Sequence, residues 1–400
     1  MHAVPEGQSR WPWLVFAGLF CVFCSAFYLP LSSKATNNIF YAGLALPALF
    51  WLLWRPVALP VMARAFAWLV LLLGALVVLD AGDVSGLKKG LYLMLFFVCC
   101  LMLEQWRWGV RGCVTVFACF SIAVLLFVLG DWLWIWSESG RWIRYGNLWG
   151  QPINPVYFSM LISSALVFIW LFHVADWLER RSRVDLLAGL FLLSVAVLLC
   201  ASVFQSRSTL LGFALFFGAY LLYKRIIMLG LGLALALVVL LFVLGGDELL
   251  NQRGLSYRPA IWQDAWLRVL NDCGLWLGCG SDGYRFLGKF HHPHSGYLAM
   301  FYRNGLLGTL LFVLFAGFFF WRSVCSRSRW MLLALVGWGS LLTTTNGVLT
   351  TPQPLWIYFW LPTFMAILES QRPAVLAYFS ARQAGVRNPG LISASRHDRG

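Results

Sequence analysis

The sequence predicts an all-α, polytopic membrane protein. Of its 400 residues, 60% are hydrophobic, 17% are aromatic and only 12% are charged, whereas a soluble globular chain is about 25% charged. Apolar runs of about 17 to 25 residues, the length that crosses a bilayer as a helix, recur along nearly the whole chain. The alternating segments of about ten residues that are typical of a membrane β-barrel are absent from the sequence.

The apolar runs predict about twelve transmembrane helices. They cover residues 11–31, 38–54, 64–80, 87–104, 109–136, 155–178, 185–205, 208–223, 226–244, 297–321, 330–345 and 355–369. Residues 1–244 therefore hold nine predicted helices and residues 297–370 hold three, with a polar segment at 245–296 between them and a basic tail at 371–400. The first run is too long for a cleavable signal peptide, so we expect it to remain as a helix.

Positive charge predicts the orientation of these helices. The net charge of +14 comes from Lys and Arg in short loops between the spans, which is how membrane topology is encoded and not a sign of nucleic-acid binding. With the amino terminus in the cytoplasm, about 18 of the 30 Lys and Arg fall on the cytoplasmic side. Both termini are then predicted to be cytoplasmic, and the polar segment 245–296 to be extracytoplasmic.

The polar segment 245–296 is too long for a simple connector, and loops of this length usually carry a function. Within it, residues 257–269 have apolar side chains at helical spacing, which predicts a helix lying along the membrane surface. Cys273 and Cys279 fall in the same segment. They can form a disulfide if the compartment is oxidising, but the sequence leaves the pairing open.

Three of the six histidines, His291, His292 and His294, lie at the end of this segment. An imidazole with a pKa near neutrality can take a proton from a hydroxyl group that becomes a nucleophile. Pro293 excludes a regular helix here, and the next helix is predicted to start near Ser295. We favour proton transfer; the alternatives are histidines merely tolerated at a membrane interface, or a zinc site, which lacks Cys or carboxylate ligands at a suitable spacing.

Arginines predicted on the same face indicate an anionic ligand. Arg207 stands between two apolar runs, where a charge is costly and marks a candidate site unless it reaches to the lipid headgroups. Arg258 opens the predicted surface helix, and Arg303 lies in the first turns after the histidines. Because a guanidinium binds phosphate oxygens through two parallel hydrogen bonds, this set predicts a metal-free pyrophosphate site. Other basic residues predicted at this face are Lys88, Lys89, Arg141 and Arg144.

Missing motifs narrow the function further. No Asp-x-Asp pair stands in a predicted outer loop, which disfavours metal-dependent glycosyl transfer, and the sequence has no nucleotide-binding glycine loop. Neither acidic residues in the middle of a span nor an internal repeat supports a pump or a secondary transporter. A lipid or glycan flippase and a pure scaffold stay open as weaker alternatives.

Four short motifs occur in a characteristic order. They are Gln205-Ser206-Arg207-Ser208-Thr209-Leu210, Tyr257-Arg258-Pro259-Ala260, Gly278-Cys279-Gly280 and His292-Pro293-His294-Ser295-Gly296-Tyr297-Leu298. Their order, together with one large loop late in a many-span chain, resembles the bacterial O-antigen ligases and their relatives, the O-antigen polymerases and protein O-oligosaccharyltransferases. The resemblance covers about residues 200–310 by motif and the whole chain by predicted topology.

The resemblance implies a fold similar to the metal-independent branch of the membrane GT-C glycosyltransferases. It implies transfer of a glycan from undecaprenyl pyrophosphate to a sugar hydroxyl of lipid A-core, with inversion, at the periplasmic face of the bacterial inner membrane. No cofactor is implied, and the expected partners are the lipid-linked donor, lipid A-core and membrane lipids. A short chain without a large carboxy-terminal domain fits a ligase best; a polymerase or a protein O-oligosaccharyltransferase is the alternative.

The resemblance also implies roles for individual residues. His294 matches the loop histidine that acts as the base on the acceptor, and Arg207 and Arg258 match the arginines that bind the donor pyrophosphate. Lys88 or Lys89 is a plausible counterpart of a basic donor-binding residue near the fourth span. Supporting roles are expected for His292, which matches a second histidine of some members, for Arg303, and for His291, which is not a family element.

Overall fold

The computed structural model describes residues 11–54, 84–104, 109–243, 257–280, 283–344 and 347–370, and these are mostly α-helical. The predicted span 64–80, the start of the polar segment at 245–256 and the tail 371–400 lie outside the described residues.

Long apolar helices account for most of the fold. The first six are α1 (Trp11–Ser25), α2 (Ser33–Trp54), α3 (Val84–Glu104), α4 (Gly109–Ser139), α5 (Pro155–Arg181) and α6 (Arg183–Val203). The next six are α7 (Arg207–Lys224), α8 (Ile227–Val243), α9 (Arg258–Arg268), α10 (Gly296–Cys325), α11 (Arg329–Ser340) and α12 (355–370). A two-stranded hairpin, β1 (Asn147–Leu148) and β2 (Gln151–Pro152), joins α4 to α5.

Apart from 64–80, each predicted span coincides with a helix to within a few residues. In the described part of the chain, seven helices are long and apolar enough to cross a membrane, namely α1 to α6 and α10. The chain is thus an all-α, multi-pass membrane protein, and the full count of twelve spans stays a prediction. The helix predicted near 257–269 is present as α9, which continues through one π-helical turn, Val269–Cys273.

Aromatic side chains hold the amino-terminal helices against α12. The ring of Phe40 on α2 lies 5.0 Å from that of Trp356 on α12 and 5.5 Å from that of Phe23 on α1. Phe96 on α3 lies 5.0 Å from Trp356. All four side chains are fully buried, in the tilted and edge-to-face arrangements that aromatic rings favour. Part of the aromatic content of the sequence therefore packs the protein interior.

Glycines let α7 and α11 cross in backbone contact. A Cβ on Gly212 would collide with the Val336 carbonyl, and a Cβ on Gly339 would lie 2.9 Å from the Gly212 Cα. Close approach through small residues is a common way for membrane helices to pack. Near this crossing, the Thr343 hydroxyl donates a hydrogen bond to Ser208 Oγ at 2.8 Å. The crossing fixes where the first residue of α7 lies relative to the end of α11.

Candidate active site

A cavity of about 800 Å³ lies where α5, α7 and α9 begin, where α11 ends, and where the histidine segment leads into α10. Its lining combines guanidinium and imidazole groups with neutral polar and aromatic side chains. The lining residues are Arg144, Ile153, Asn154, Pro155, Val156, Tyr157, Gln205, Arg207, Ser208, Tyr257, Arg258, Ile261, Phe290, His292, His294, Thr343 and Thr344.

Arg207 reaches the cavity because it is the first residue of α7. The preceding turn is tight, with Gln205 in the left-handed region at φ +47°. Ser206 Oγ lies 2.8 Å from Thr209 Oγ1, which donates to Ser159 Oγ on α5 at 2.8 Å. These hydroxyl groups are buried and satisfy one another, as buried polar groups must. The network therefore fixes the half-buried Arg207 at the boundary between α5 and α7.

Arg258 reaches the same cavity as the first residue of α9, with Pro259 in the first turn of that helix. Proline suits this place because its missing N–H would have had no partner within the helix. Ile261 and Ala265 then bury the inner face of α9 against Phe301 at the start of α10. Arg258 is therefore carried by a packed helix and is half-buried.

The histidine segment is held from three directions. The Trp262 indole on α9 donates to the Pro293 carbonyl at 3.0 Å. The Gly296 N–H donates to the Leu341 carbonyl at the end of α11 at 2.7 Å. Ser295 caps α10 by accepting a hydrogen bond from a backbone N–H of the first turn. These contacts keep the histidines between α9 and α11.

His292 and His294 have different chemical environments. The His294 backbone N–H donates to Nδ1 of His292 at 3.3 Å, and the two rings are 4.0 Å apart. Since Nδ1 of His292 accepts this bond, the proton of its neutral ring is on Nε2. His294 itself adopts φ +55°, a conformation that is unusual for a residue other than glycine. His292 therefore supports the loop conformation that presents His294 to the cavity.

Both imidazoles are biased towards the neutral form. Burial, followed by the positive charges of His294, Arg303 and His291, lowers the pKa of His292 to about 4. Burial and then the guanidinium of Arg258 lower the pKa of His294 below its ordinary value of 6.5. At neutral pH the His294 ring is thus able to accept a proton, and the proton it accepts is placed beside a fixed positive charge.

The other predicted residues lie away from the lining. His291 is exposed. Arg303 stands in the first turns of α10, where its charge acts on His292. Lys88 is exposed on α3, with its ammonium 5.6 Å from the ring of Tyr92 and 6.0 Å from that of Tyr41, and Lys89 is half-exposed beside it. Donor binding by Lys88 or Lys89 and supporting roles for His291 and Arg303 stay predictions.

For several lining residues, the sequence gives little indication that they belong to the site. Arg144 was one basic residue among many on the predicted outer face; its guanidinium donates to the Phe204 carbonyl at 2.9 Å while lining the cavity. Asn154 belongs to a fixed polar turn, and its side chain caps α5. Thr343 and Thr344 fall inside the predicted span 330–345, whereas in the structure they follow the end of α11 at Ser340. Nothing in their local sequence distinguishes them. They reach the cavity through the crossing of α7 with α11, which a local pattern does not reveal.

Cys273 and Cys279 form a disulfide that closes the loop between α9 and α10. The sequence left this pairing open, and the structure resolves it. Within the described ranges, no group of three or more His, Cys, Asp or Glu side chains is arranged to hold a metal ion. The chemical groups that meet at the cavity are therefore guanidiniums, imidazoles, hydroxyls and amides.

A comparison with known proteins finds a relative that matches most of the chain. The chain is 28% identical over 359 residues to a protein of Pseudomonas aeruginosa named O-antigen ligase, covering 83% of this chain and 84% of the relative. No model of a protein family matches the chain, and no solved structure matches it. The similarity covers most of both chains, and it supports an O-antigen ligase family assignment.

Proposed function

We propose that this protein is an O-antigen ligase of the bacterial inner membrane. In the proposed reaction, a glycan is transferred from undecaprenyl pyrophosphate to a sugar hydroxyl of lipid A-core, with inversion and without a metal ion. The observation that carries the proposal is that one cavity is lined by Arg207, Arg258 and His294, which come from three distant parts of the sequence. A related protein named O-antigen ligase supports the ligase role in lipopolysaccharide assembly.

The guanidiniums would bind the leaving group. When the bond between the sugar and the pyrophosphate breaks, negative charge grows on the phosphate oxygens, and fixed cations that face them lower the barrier. Arg207 and Arg258 begin two different helices and both line the cavity. Arg144, which also lines the cavity, would supply a third guanidinium.

His294 would act as the base. Its lowered pKa keeps the ring unprotonated at neutral pH, so it can accept the proton of the acceptor hydroxyl. The acceptor oxygen forms a bond to the anomeric carbon as the carbon–oxygen bond to the pyrophosphate breaks on the opposite face. The products are the glycosylated acceptor and undecaprenyl pyrophosphate, and the proton on His294 then passes to solvent.

The membrane setting fits an amphipathic donor. All lining residues come from loops and helix ends that the charge pattern predicts on one face of the membrane. The polyprenyl chain would lie between the spans with its pyrophosphate in the cavity. The disulfide Cys273–Cys279 supports a periplasmic location for the polar segment, since disulfides persist in oxidising compartments.

The test is reconstitution with defined substrates. Purified protein in lipid vesicles would receive undecaprenyl-pyrophosphate-linked glycan together with lipid A-core, an acceptor protein, or a second glycan. We expect glycosylated lipid A-core, without added divalent metal and in the presence of a chelator. Product on the protein or on the glycan alone would instead assign the chain to the oligosaccharyltransferases or polymerases. Movement of the donor across the vesicle without any acceptor would favour a flippase.

A further inference from the structure

The loop between α9 and α10 carries an exposed apolar tip. Leu275, Trp276 and Leu277 are 39%, 59% and 59% exposed, respectively, and the disulfide Cys273–Cys279 closes the loop around them. Three consecutive large apolar side chains on a loop in water would be unfavourable. The surroundings of the tip indicate what covers it.

The loop is built into a break in α10. At Gly305 the backbone leaves the helical conformation, with φ +57° and ψ −158°. The two following amides turn to the loop: the Leu306 N–H donates to the Leu275 carbonyl at 2.8 Å. The Leu307 N–H donates to the Trp276 carbonyl at 3.2 Å. In a continuous helix each would have bonded to the carbonyl four residues earlier.

The carbonyls released by this break are those of Tyr302 and Arg303, and the loop satisfies them as well. The Cys279 N–H donates to the Tyr302 carbonyl at 2.7 Å, and the Gly280 N–H donates to the Arg303 carbonyl at 3.0 Å. Two helical hydrogen bonds are thus replaced by four bonds to the loop. The break leaves none of these four backbone groups of α10 without a partner.

Glycine is required on both sides of this junction. A Cβ on Gly278 would lie 2.6 Å from the Gly305 nitrogen, and both glycines have positive φ. The backbones of the loop and of α10 therefore touch directly. The junction is specific, and this fixes the height of the tip relative to α10.

The length and composition of α10 indicate that this height falls within the apolar thickness of the membrane. Arg303 and Arg322, the charges that flank the apolar part of α10, are 19 positions apart in the sequence. That separation corresponds to about 28 Å of helix, close to the ~30 Å of a hydrocarbon core. Leu307 lies one turn inside Arg303, so Trp276, which bonds to it, is below the boundary as well. Full backbone pairing is what a non-helical segment needs at that depth.

We propose that the tip, residues 275–277, is a re-entrant anchor whose occupant is the acyl region of the phospholipid leaflet on the side of the cavity. Its apolar side chains continue the exposed surface of α10, where Leu307 and Leu310 are 39% and 47% exposed. The anchor holds α9, and with it Arg258, at a constant depth. The proposal rests on α10 crossing the membrane and not on the proposed ligase reaction.

Photo-crosslinking tests this placement. The full-length protein would carry p-benzoylphenylalanine in place of Trp276 and would be reconstituted in vesicles of phosphatidylethanolamine and phosphatidylglycerol without polyprenyl lipid. Leu310 on α10 is the positive control. Leu287, which is 65% exposed in the same polar segment but is not joined to α10 by the junction, is the matched negative control.

We expect phospholipid adducts at Trp276, identified by mass, at a yield comparable with Leu310 and several-fold above Leu287. The same substitution at Leu277 gives a second reading if the Trp276 variant folds poorly. Adduct yields at both tip residues no higher than at Leu287, while Leu310 reacts, would overturn the proposal.

Discussion

Two basic regions of this protein are predicted to bind the same pyrophosphate, but only one of them lines the cavity in the structure. Arg207 and Arg258 begin helices and line the cavity with His294. Lys88 and Lys89 also stand near the start of a helix, but Lys88 faces the rings of Tyr41 and Tyr92 and is exposed. The difference teaches that a charge near the end of a span predicts the face of the membrane. It does not predict which side of the helix bundle the charge occupies.

The largest effect is expected at the imidazole of the cavity. His294→Ala removes the proposed base and should lower the transfer rate by about 10²- to 10⁴-fold. The measurement is formation of glycosylated lipid A-core by reconstituted protein, with insertion checked separately. His291→Ala is the matched control in the same segment, because its exposed ring lies outside the lining. If His294→Ala were as active as an active His291→Ala control, His294 would be removed from the mechanism.

The second test asks whether Arg207 acts through its charge alone or through the paired donors of its guanidinium. Arg207→Ala should lower kcat by about 10²-fold, since a fixed charge that stabilises the leaving group is lost. Arg207→Lys should recover only part of this, because an ammonium keeps the charge but not the paired donors of a guanidinium. A full recovery by lysine would show that charge alone is needed, and the distinction between arginine and lysine sites would then lose its chemical basis.

The pH dependence gives a third, intermediate effect. The pKa of His294 is lowered by burial and then by Arg258, so the active unprotonated form should be lost only as the pH falls below the ordinary histidine value. The acid limb of kcat/KM should therefore lie below pH 6.5. Arg258→Gln removes the adjacent charge, and besides lowering the rate it should move this limb towards higher pH.

Lys88→Gln serves as the comparison for the pH profile, because its charge is not among the causes that lower the pKa of His294. An acid limb that shifts equally in the Arg258 and Lys88 variants would argue against the local electrostatic explanation.

The smallest effect is expected on α3. Lys88→Gln together with Lys89→Gln should change the transfer rate by less than the single Arg207 substitution. The lost contact of Lys88 with the tyrosine rings is worth about 0.5–1 kcal/mol at an exposed site. Rates at several donor concentrations would measure the change in transfer, and thermal unfolding of the purified protein would measure the lost stability. A loss as large as that of Arg207→Ala would restore the predicted donor site on α3.

The sequence by itself determined the helical membrane class, the positions of the helices and the types of residue in the site. Apolar runs of bilayer length have few alternatives to helix, and a charged or imidazole group beside such a run is costly enough to indicate a function. For this reason Arg207, Arg258 and His294 were recognisable as candidates before the fold was known. The spacing of Cys273 and Cys279 permitted a disulfide without requiring one.

Only the tertiary structure decided which of these groups share a cavity. The glycine contact between α7 and α11 brings Thr343 to Ser208 and therefore to Arg207. The loop built into α10 at Gly305 fixes the end of α9 that carries Cys273. Such contacts join residues far apart in the chain, and they depend on backbone approach and crossing geometry. Hydrophobic periodicity and charge, the signals that the sequence carries locally, contain no information on either.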